Sequence, residues 1–304
     1  QGPRRVEGEE AAGEGEMSEQ ITPPSQMSAA LFQPRHETWQ GRNTILFNGR
    51  VFLGPGYANV LGTLVLIVAP CLTFLIVCCP KLEEGVGVAV VSVFGGVASL
   101  LLVLTTTMLV RATTRDPGVI PRREGELDEA LRKMMREANR GLVVNGHLVS
   151  LKWCETCHIY RPPRCSHCKV CDNCVDRFDH HCPWLGTCIG RRNYAAFVLF
   201  IFGATLLDLF VGCASFFLLF LEGKSESGER SIVIGMERDL PVALLGLFCF
   251  VWLIFLGSLS ALHLYLLLSN ITTNEHMKGL WNERENFHNK GCGDNVHQAC
   301  CAPS

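Results

Sequence analysis

Long apolar blocks separated by polar segments dominate the pattern of the chain. Four blocks lack the polar stripe of an amphipathic surface helix, and they run from Tyr57 to Cys79, Val86 to Val110, Ala195 to Leu221 and Val242 to Leu268. Each exceeds the roughly 20 residues that a helix needs to cross the hydrocarbon core of a bilayer. The pattern therefore predicts an α-helical polytopic membrane protein with four transmembrane helices.

Polar segments divide the chain around these helices. They are an N-terminal region of residues 1–56, a loop of residues 111–194 and a tail of residues 269–304, so that residues 57–110 and 195–268 hold the two helix pairs. The start of the chain, rich in Gly, Glu and Ala, predicts disorder, and Met17 is a candidate initiation residue. Charged residues make up 18% of the chain, below the roughly 25% of a soluble domain.

Lys and Arg residues are distributed unevenly among the polar segments. Residues 111–194 carry more than half of the 27 Lys and Arg residues, whereas the loop after the first block has only Lys81 and the loop after the third has Lys224, Arg230 and Arg238. Cytosolic loops carry an excess of basic residues, so residues 111–194 and both termini are predicted to be cytosolic. The two opposite loops contain no cysteine, as expected if the thiols belong to a reducing compartment.

Cysteine and histidine residues are concentrated in residues 152–194 of this loop. Zinc takes four thiolate or imidazole ligands, often from Cys-x2-Cys turns, so eight ligands satisfy two closed structural sites. The segment offers more than eight candidates, namely Cys154, Cys157, Cys165, His167, Cys168, Cys171, Cys174, His180, His181, Cys182 and Cys188, with His158 apart from them. Two sites of three cysteines and one histidine leave two cysteines, one of the adjacent histidines and His158 unused.

The run from Asp179 to Cys182 places an acid, two histidines and a thiol next to one another. An imidazole beside a thiol takes its proton and stabilises the nucleophilic thiolate, and a carboxylate holds that imidazole in one tautomer. A surplus Cys and His beside an acid therefore favours thiol catalysis. A third, incomplete metal site and a structural thiol are the alternatives that the spacing leaves open.

The order of these residues resembles the cysteine-rich domain of the DHHC protein S-acyltransferases. The matching motifs are Cys154-x2-Cys157, Arg161-Pro-Pro-Arg164, His167-Cys168-x2-Cys171-x2-Cys174, Asp179-His-His-Cys182, Cys188 and Asn193, and outside this domain Asp116-Pro117-Gly118, Thr272-Thr273-Asn274-Glu275 and Gly291 to Val296. The resemblance extends over about residues 40–301. Within the family, the stretches Gly41 to Thr44, Asp116 to Arg122 and Thr272 to Trp281 are most similar to the subgroup of Golgi-associated Ras palmitoyltransferases and their plant relatives.

The resemblance implies a role for each residue of the cluster. One structural zinc is bound by Cys154, Cys157, His167 and Cys174, and the other by Cys168, Cys171, His181 and Cys188. Cys182 is the acylated nucleophile, His180 the base and Asp179 its orienting partner, and Cys165 is a spectator. In the tail, Thr272 or Thr273 is expected to hydrogen-bond near Asp179, and Asn295 to organise the tail against the helices.

The activity implied by the resemblance is protein S-palmitoyltransfer in two steps. Cys182 takes a fatty acyl group from palmitoyl-CoA, and a cysteine of a cytosolic or membrane-associated protein then attacks the acyl-enzyme. The helices are expected to form a bundle with an acyl cavity beneath Cys182. The subgroup further implies the Golgi or endoplasmic reticulum, with the plasma membrane as a third location, and an accessory subunit.

Several residues near this cluster invite more than one interpretation. Arg191 and Arg192 can pair with CoA phosphates or with lipid headgroups, and Trp184 can line the cavity mouth or anchor the protein at the interface. Asp208, inside the third block, is expected to form a hydrogen bond between helices rather than to catalyse. His263, inside the fourth block, is expected to be a packing residue.

Two other classes of function fit the sequence less well than the transferase. A zinc-finger nucleic-acid binder is disfavoured because the net charge is -2 and the basic residues are spread over a membrane-proximal loop. A non-catalytic, membrane-anchored zinc adaptor would not require Asp179, His180 and Cys182 together. The tail cysteines Cys292, Cys300 and Cys301 can be modification sites, packing residues or metal ligands, and the sequence does not choose among these.

Overall fold

A computed structural model describes residues 39–123 and 127–300 of the protein. The expectations for the start of the chain, including its disorder and Met17, and for Cys301 concern residues outside these ranges. In chain order the elements are β1 Thr44–Leu46, β2 Val51–Leu53, α1 Asn59–Val86, α2 Val88–Thr114, β3 Val119–Ile120, α3 Glu129–Glu137, β4 Gly141–Val144, β5 His147–Ser150, β6 Lys152–Cys154, β7 Ile159–Arg161, β8 Ser166–Cys168, β9 Asn173–Val175, β10 His180–Cys182, β11 Thr187–Ile189, α4 Tyr194–Glu222, α5 Ile232–Arg238, α6 Leu240–Ser269, α7 Thr273–Met277 and α8 Cys292–Cys300.

Four helices, α1, α2, α4 and α6, are long and apolar enough to cross a membrane. They contain 28, 27, 29 and 30 residues, and each exceeds the roughly 20 residues of a spanning helix. Large apolar side chains such as Val93, Leu100 and Ile254 are exposed on their outer faces, as expected for surfaces that meet lipid. The prediction of a four-helix membrane protein with a cysteine-rich module between the second and third spans is confirmed.

The connection between α1 and α2 is shorter than the pattern of polar residues suggested. Residues 80–85 continue α1 instead of forming a loop, after a π-helical turn at Phe74–Cys78. Lys, Leu and Glu in this stretch are strong helix formers. The helix ends at Gly87, whose φ of 86° is readily adopted only by glycine, and α2 begins at the next residue.

Helix α4 lies at the centre of the bundle and packs against both α2 and α6. Half of the residues in the most apolar 18-residue stretch of α4 are buried, compared with 11% in the corresponding stretch of α2. Small residues permit the close approach, since a Cβ atom on Gly203 would lie 2.7 Å from the hydroxyl oxygen of Thr105 on α2. The central helix therefore carries residues from the cysteine-rich module down into the core of the bundle.

The cysteine-rich module consists of very short antiparallel hairpins. Strand β6 pairs with β7, β8 with β9, and β10 with β11, and β3 adds a third strand beside β9. Two- and three-residue strands do not form stable sheets by themselves. The hairpins therefore need other links, and both their strands and their turns carry cysteines.

Candidate active site and two metal-binding tetrads

The first tetrad consists of Cys154, Cys157, His167 and Cys174, whose ligand atoms all lie within 4.8 Å of one another. His167 Nδ1 is 3.6 Å from Cys154 Sγ, 3.4 Å from Cys157 Sγ and 3.9 Å from Cys174 Sγ. The tetrad links the β6–β7 turn to the paired strands β8 and β9. The carboxylate of Asp172 lies 3.6 Å from the other ring nitrogen of His167 and also pairs with Arg122, which orients the imidazole.

The second tetrad consists of Cys168, Cys171, His181 and Cys188. His181 Nδ1 is 3.8 Å from Cys168 Sγ, 3.4 Å from Cys171 Sγ and 3.8 Å from Cys188 Sγ. His181 and Cys188 are partners in the register of β10 and β11. The tetrad therefore links the β8–β9 turn to the β10–β11 hairpin.

Both tetrads fit a tetrahedral zinc ion. Zinc–sulfur bonds near 2.3 Å and zinc–nitrogen bonds near 2.0–2.1 Å separate two ligand atoms by about 3.6 Å, and the observed separations between Nδ1 and Sγ run from 3.4 to 3.9 Å. Three thiolates and one imidazole are a donor set that zinc prefers. Each tetrad can hold one metal ion with all four positions filled by protein.

Four candidates from the cluster lie outside the tetrads, and His158 and Cys165 are two of them. His158 has a φ of 52° and follows Cys157 in the β6–β7 turn, in the same place that Asp172, with a φ of 54°, takes after Cys171. His158 is thus the left-handed turn residue of its Cys-x2-Cys loop. Cys165 is partly buried against the cysteines of the first tetrad and does not belong to it.

Strand β10 separates the two adjacent histidines. Successive side chains of a strand point to opposite faces, so His181 meets the second tetrad whereas His180 and Cys182 share the other face. On that face, the ring of His180 packs edge-on against Phe197 of α4, with centroids 5.2 Å apart. The strand thus carries one metal ligand between two groups that face the helix bundle.

Asp179 and His180 form a buried, hydrogen-bonded pair. Asp179 Oδ2 lies 2.7 Å from His180 Nδ1, and the Asp179 side chain is 1% exposed. Burial by itself raises the pKa of Asp179, but hydrogen bonds from His180 and Thr273 outweigh this effect and hold the pKa below its usual value. Burial likewise lowers the pKa of His180, but hydrogen bonds with Asp179 and Cys182 overcome it and raise the pKa to about 9. A protonated His180 stabilises a thiolate at Cys182.

The tail supplies the other partners of Asp179. Thr273 donates from its backbone nitrogen to Asp179 Oδ1 at 2.9 Å and from its hydroxyl group to Oδ2 at 2.7 Å. Thr272, the other residue expected near Asp179, instead caps α7 through a reciprocal pair of hydrogen bonds with Glu275. Thr273 is therefore the threonine that contacts the acid.

A buried ion pair joins this part of the tail to the cysteine-rich module. Arg164 donates two hydrogen bonds of 2.7 Å to the carboxylate of Glu275 and one of 2.9 Å to Asn270 Oδ1. Bidentate pairs of this kind combine charge with fixed geometry. Both residues belong to motifs quoted above, but the sequence assigned neither a role, because the two positions are 111 residues apart.

Two further asparagines hold the site against the helices. Asn193 donates to the backbone oxygens of Ala112 and Cys188 at 2.9 Å, and its side chain is fully buried. Asn295 donates to the backbone oxygen of Leu268 at 2.7 Å and accepts from the backbone nitrogen of Lys290 at 3.0 Å. Asn193 thereby ties the second tetrad to α2, and Asn295 ties the tail to the end of α6.

A cavity of about 290 Å³ extends from Cys182 and His180 into the helix bundle. Its walls are mainly aliphatic and aromatic, and Trp184 lies at its side against Trp252, with ring centroids 6.1 Å apart. Asp208 and Cys249 lie on the wall deeper in the bundle and contact each other. Asp208 thus makes the expected contact between helices, although its Oδ2 has no hydrogen-bond partner among the described residues.

The basic residues after β11 are both engaged with carboxylates. Arg192 pairs with Asp116, which also accepts hydrogen bonds of 2.8 Å from the backbone nitrogens of Gly118 and Val119. Arg191 lies 3.2 Å from Asp176 and is half-exposed. Arg191 also lines a polar cleft of about 310 Å³ between the module and the tail, together with Arg164, Arg177, His288 and Lys290.

His263 is a buried neighbour of the site. Its ring packs at 5.0 Å from that of Phe197 and at 6.0 Å from that of His180. Its Nδ1 atom is 3.4 Å from the hydroxyl group of Tyr194. The expected packing histidine therefore lies directly beside the Asp179–His180 pair.

Comparison with known proteins finds one family and many relatives. A family model described as DHHC palmitoyltransferase matches residues 147–280. "Probable protein S-acyltransferase 6" of Arabidopsis thaliana is 36% identical over 284 residues, which are 88% of this chain and 67% of the relative. "Palmitoyltransferase ZDHHC9" of Danio rerio is 36% identical over 278 residues, which are 87% of this chain and 70% of the relative. "Palmitoyltransferase ZDHHC14" of Homo sapiens is 34% identical over 282 residues, which are 87% of this chain and 56% of the relative.

Proposed function

The chain belongs to the DHHC palmitoyltransferase family, and from this premise we propose that Cys182 carries the acyl group in a protein S-palmitoyltransferase reaction. The observation that carries the proposal is that three structural features coincide at Cys182. The Asp179–His180 pair lies beside the thiol, the apolar cavity begins at it, and both metal tetrads are complete without it. A thiol left out of the metal sites, beside a buried imidazole, is available as a nucleophile.

The first step transfers the acyl group to the enzyme. The Cys182 thiolate attacks the thioester carbonyl of palmitoyl-CoA, a new thioester forms on Cys182, and the bond to the CoA sulfur breaks. The CoA thiolate leaves with the proton of His180. Asp179, held by Thr273 and by its bond to His180, keeps the imidazole in one orientation throughout.

The second step passes the acyl group to a protein. The neutral His180 takes the proton of the incoming substrate cysteine, whose thiolate attacks the acyl-Cys182 carbonyl and releases the Cys182 thiolate. One thioester replaces another in each step, so the reaction needs no further energy source, and the work of the enzyme is positioning and proton transfer.

Zinc has a structural role in this proposal. Bound at the two tetrads, it would crosslink the short hairpins, and its four protein ligands would leave no position for substrate. His181 is a ligand whose neighbours in β10 are His180 and Cys182. Bound there, the metal would hold the orientation of the strand that carries the reacting groups and would take no part in the chemistry.

The cavity is proposed to hold the acyl chain of the donor. Phe197 contacts His180 and Asp208 lies 11 residues further along α4, which corresponds to about 16 Å at 1.5 Å per residue. An extended chain advances roughly 1.2 Å per bond, so a palmitoyl chain reaches about 18 Å. Each buried methylene contributes about 0.8 kcal/mol, so the tail supplies most of the affinity.

The CoA head is proposed to lie on the polar cleft at Arg191. Cys182 pairs with Thr187 across the hairpin, and Arg191 lies two residues after the end of β11 at Ile189. Arg177 and Lys290 add positive charge to the same cleft, and guanidinium groups suit phosphate. Arg192 adds positive charge nearby, but its guanidinium group is already paired with Asp116.

The protein is a multi-pass membrane protein, and we propose that the cysteine-rich module and both termini face the cytosol. The excess of Lys and Arg in residues 111–194 supports this orientation. Substrates would then be cytosolic or peripheral membrane proteins with accessible cysteines. A Golgi or endoplasmic reticulum location, membership of the Ras palmitoyltransferase subgroup and an accessory subunit stay predictions.

Labelling of the purified enzyme with an alkyne analogue of palmitoyl-CoA tests the proposal. We expect one hydroxylamine-sensitive label per chain, lost in Cys182→Ser and kept in Cys165→Ser, the matched control within the same module. Both variants should retain two zinc ions per chain. Undiminished labelling of Cys182→Ser would contradict the acyl-enzyme and would favour another nucleophile or a zinc adaptor.

A further inference from the structure

The first turns of α1 lie against the segment that follows Cys182. The backbone nitrogen of Gly56 donates to the backbone oxygen of Gly186 at 3.1 Å. A Cβ atom on Gly186, whose φ is 64°, would lie 1.9 Å from the Gly56 oxygen, and one on Gly54 would lie 2.0 Å from the Gly186 oxygen. Only glycine permits this approach of the two backbones, so Gly186 is pressed directly onto Gly54 and Gly56, just before the start of α1.

Two side chains of α1 extend this contact towards the thiol. Asn59 Nδ2 donates to the backbone oxygen of Pro183 at 2.8 Å, and the Thr63 hydroxyl donates to the backbone oxygen of Trp184 at 2.9 Å. These oxygens belong to the two residues that directly follow Cys182. Thr63 is 7% exposed, whereas the hydrogen bond of Asn59 lies at the exposed end of this contact.

These contacts add to the support of Cys182, which is also held from its N-terminal side and by its pairing with Thr187. Towards the N-terminus, His181 belongs to the second tetrad and Asp179 is bound by Thr273. Towards the C-terminus, β10 ends at Cys182, and residues 183–186 leave the β10–β11 ladder. The carbonyls of Pro183 and Trp184 are then held by α1 instead of by a neighbouring strand.

Helix α1 is also a wall of the cavity. Thr63 lines it together with Leu66 and Ile67, on the same side of the helix that faces Cys182 and Trp184. One helix therefore contacts both the proposed acyl chain and the backbone that follows the proposed nucleophile.

We propose that Asn59 and Thr63 are positioning residues that hold the Cys182 thiol at the mouth of the acyl cavity, by anchoring the carbonyls of Pro183 and Trp184 to α1. The inference rests on the proposed role of Cys182. A thiol that must meet a thioester carbonyl at about 3–3.5 Å depends on such support, because a misplacement of about 1 Å can cost roughly 100-fold in rate. Neither side chain touches the reacting atoms in this assignment.

Isosteric substitutions test the proposal. Thr63→Val removes the hydroxyl and keeps the shape, Thr63→Ser keeps the hydroxyl, and Asn59→Leu removes the amide donor. Thr107→Val on α2 is the matched control, because the Thr107 hydroxyl is exposed and bonds to the Val103 oxygen of its own helix. The measurements are the single-turnover rate of acyl-enzyme formation over a range of palmitoyl-CoA concentrations, the zinc content and the thermal midpoint.

We expect Thr63→Val and Asn59→Leu each to lower the saturating rate by about 10- to 100-fold. The half-saturating concentration of palmitoyl-CoA should change less than about threefold, with two zinc ions retained and the thermal midpoint close to that of the unaltered protein. Thr63→Ser should restore most of the rate, and Thr107→Val should be unchanged. A lower saturating rate with a nearly unchanged half-saturating concentration indicates a displaced nucleophile and not weaker binding of the donor.

Two results would overturn the inference. One is an unaltered saturating rate in both Thr63→Val and Asn59→Leu. The other is a rate that falls only in step with zinc loss or the thermal midpoint, without recovery in Thr63→Ser, which would make the contacts structural. Failure of the unaltered protein to form an acyl-enzyme would instead contradict the proposed role of Cys182, so the two failures are distinguishable.

Discussion

The two tetrads have the same donors and nearly the same geometry, yet their surroundings differ. In the first, the ligands lie between β6 and β9. The side chain of Asp172 lies beside the ring of the tetrad's histidine and orients it. In the second, the histidine stands between His180 and Cys182 on β10. The same donor set therefore joins hairpins in one place and, in the other, belongs to the strand that carries the proposed reacting groups.

The tetrads are also interleaved along the chain. Cys168 and Cys171 of the second lie between His167 and Cys174 of the first, and Cys174 lies between ligands of the second. Each metal would close a loop that supplies ligands to the other. The comparison predicts that both stabilise the module but that only the second sets the position of the thiol, and the four variants below test this difference.

The largest effect is expected for His181→Ala. Loss of this ligand opens the second tetrad and releases β10, so acyl-enzyme formation should be undetectable. The first tetrad has its four ligands before β10, and the zinc content should fall from two to one per chain. Metal analysis together with the labelling assay checks this, and two retained zinc ions would show that His181 is not a ligand.

His180→Ala separates chemistry from metal binding on the same strand. The side chain points away from the second tetrad, so two zinc ions should be retained. The rate of acyl-enzyme formation should fall by about 100- to 10,000-fold, the usual contribution of a general acid–base. Zinc loss equal to that of His181→Ala would contradict the assignment of the two histidines to opposite faces.

His167→Ala opens the first tetrad and should have a smaller effect on the rate. The β10–β11 hairpin keeps its own tetrad and the hydrogen bonds of Asn193 to Cys188 and Ala112. We expect loss of zinc from the first site and a fall of about 10- to 100-fold in acyl-enzyme formation, because the reacting groups would be displaced only indirectly. A loss as complete as that of His181→Ala would show that the two tetrads do not differ in function.

The smallest effect is expected for Thr273→Val, which leaves both tetrads intact. The variant removes the hydroxyl bond to Asp179 Oδ2 but keeps the backbone bond to Oδ1. A hydrogen bond to a charged group contributes about 1.5 kcal/mol or more, which corresponds to roughly a tenfold slower acyl-enzyme formation. Thr272→Val is the informative neighbour: it disrupts the cap of α7, so it should lower the thermal midpoint more than Thr273→Val.

Local patterns were sufficient to predict the main elements. The spanning helices follow from apolar length, although residues 80–85 proved helical, with Leu82 buried and Lys81 paired with Asp239. The resemblance assigned the same two groups of ligands that the folded chain brings together. The roles of Asp179, His180 and Cys182 stay predictions, but these residues do lie at one end of an apolar cavity.

Contacts between distant segments were not predictable. Arg164 and Glu275 are 111 residues apart, and Asn59 and Pro183 are 124 apart. Hydrophobic periodicity reports which face of an element is buried and not which element covers it. The threonine that binds Asp179 could not be chosen for the same reason, because the choice depends on how α7 meets the module.

What the sequence by itself determined is the number of spanning helices, through their apolar length, and the resemblance to the family, through its motifs. The donor sets followed from that resemblance and not from ligand spacing alone. Only the tertiary structure decided the rest. It put His180 and His181 on opposite faces of one strand, made Thr273 rather than Thr272 the partner of Asp179, and pressed α1 against the residues after Cys182. These outcomes depend on strand register and on helix packing, and both arise from contacts between residues far apart in the chain.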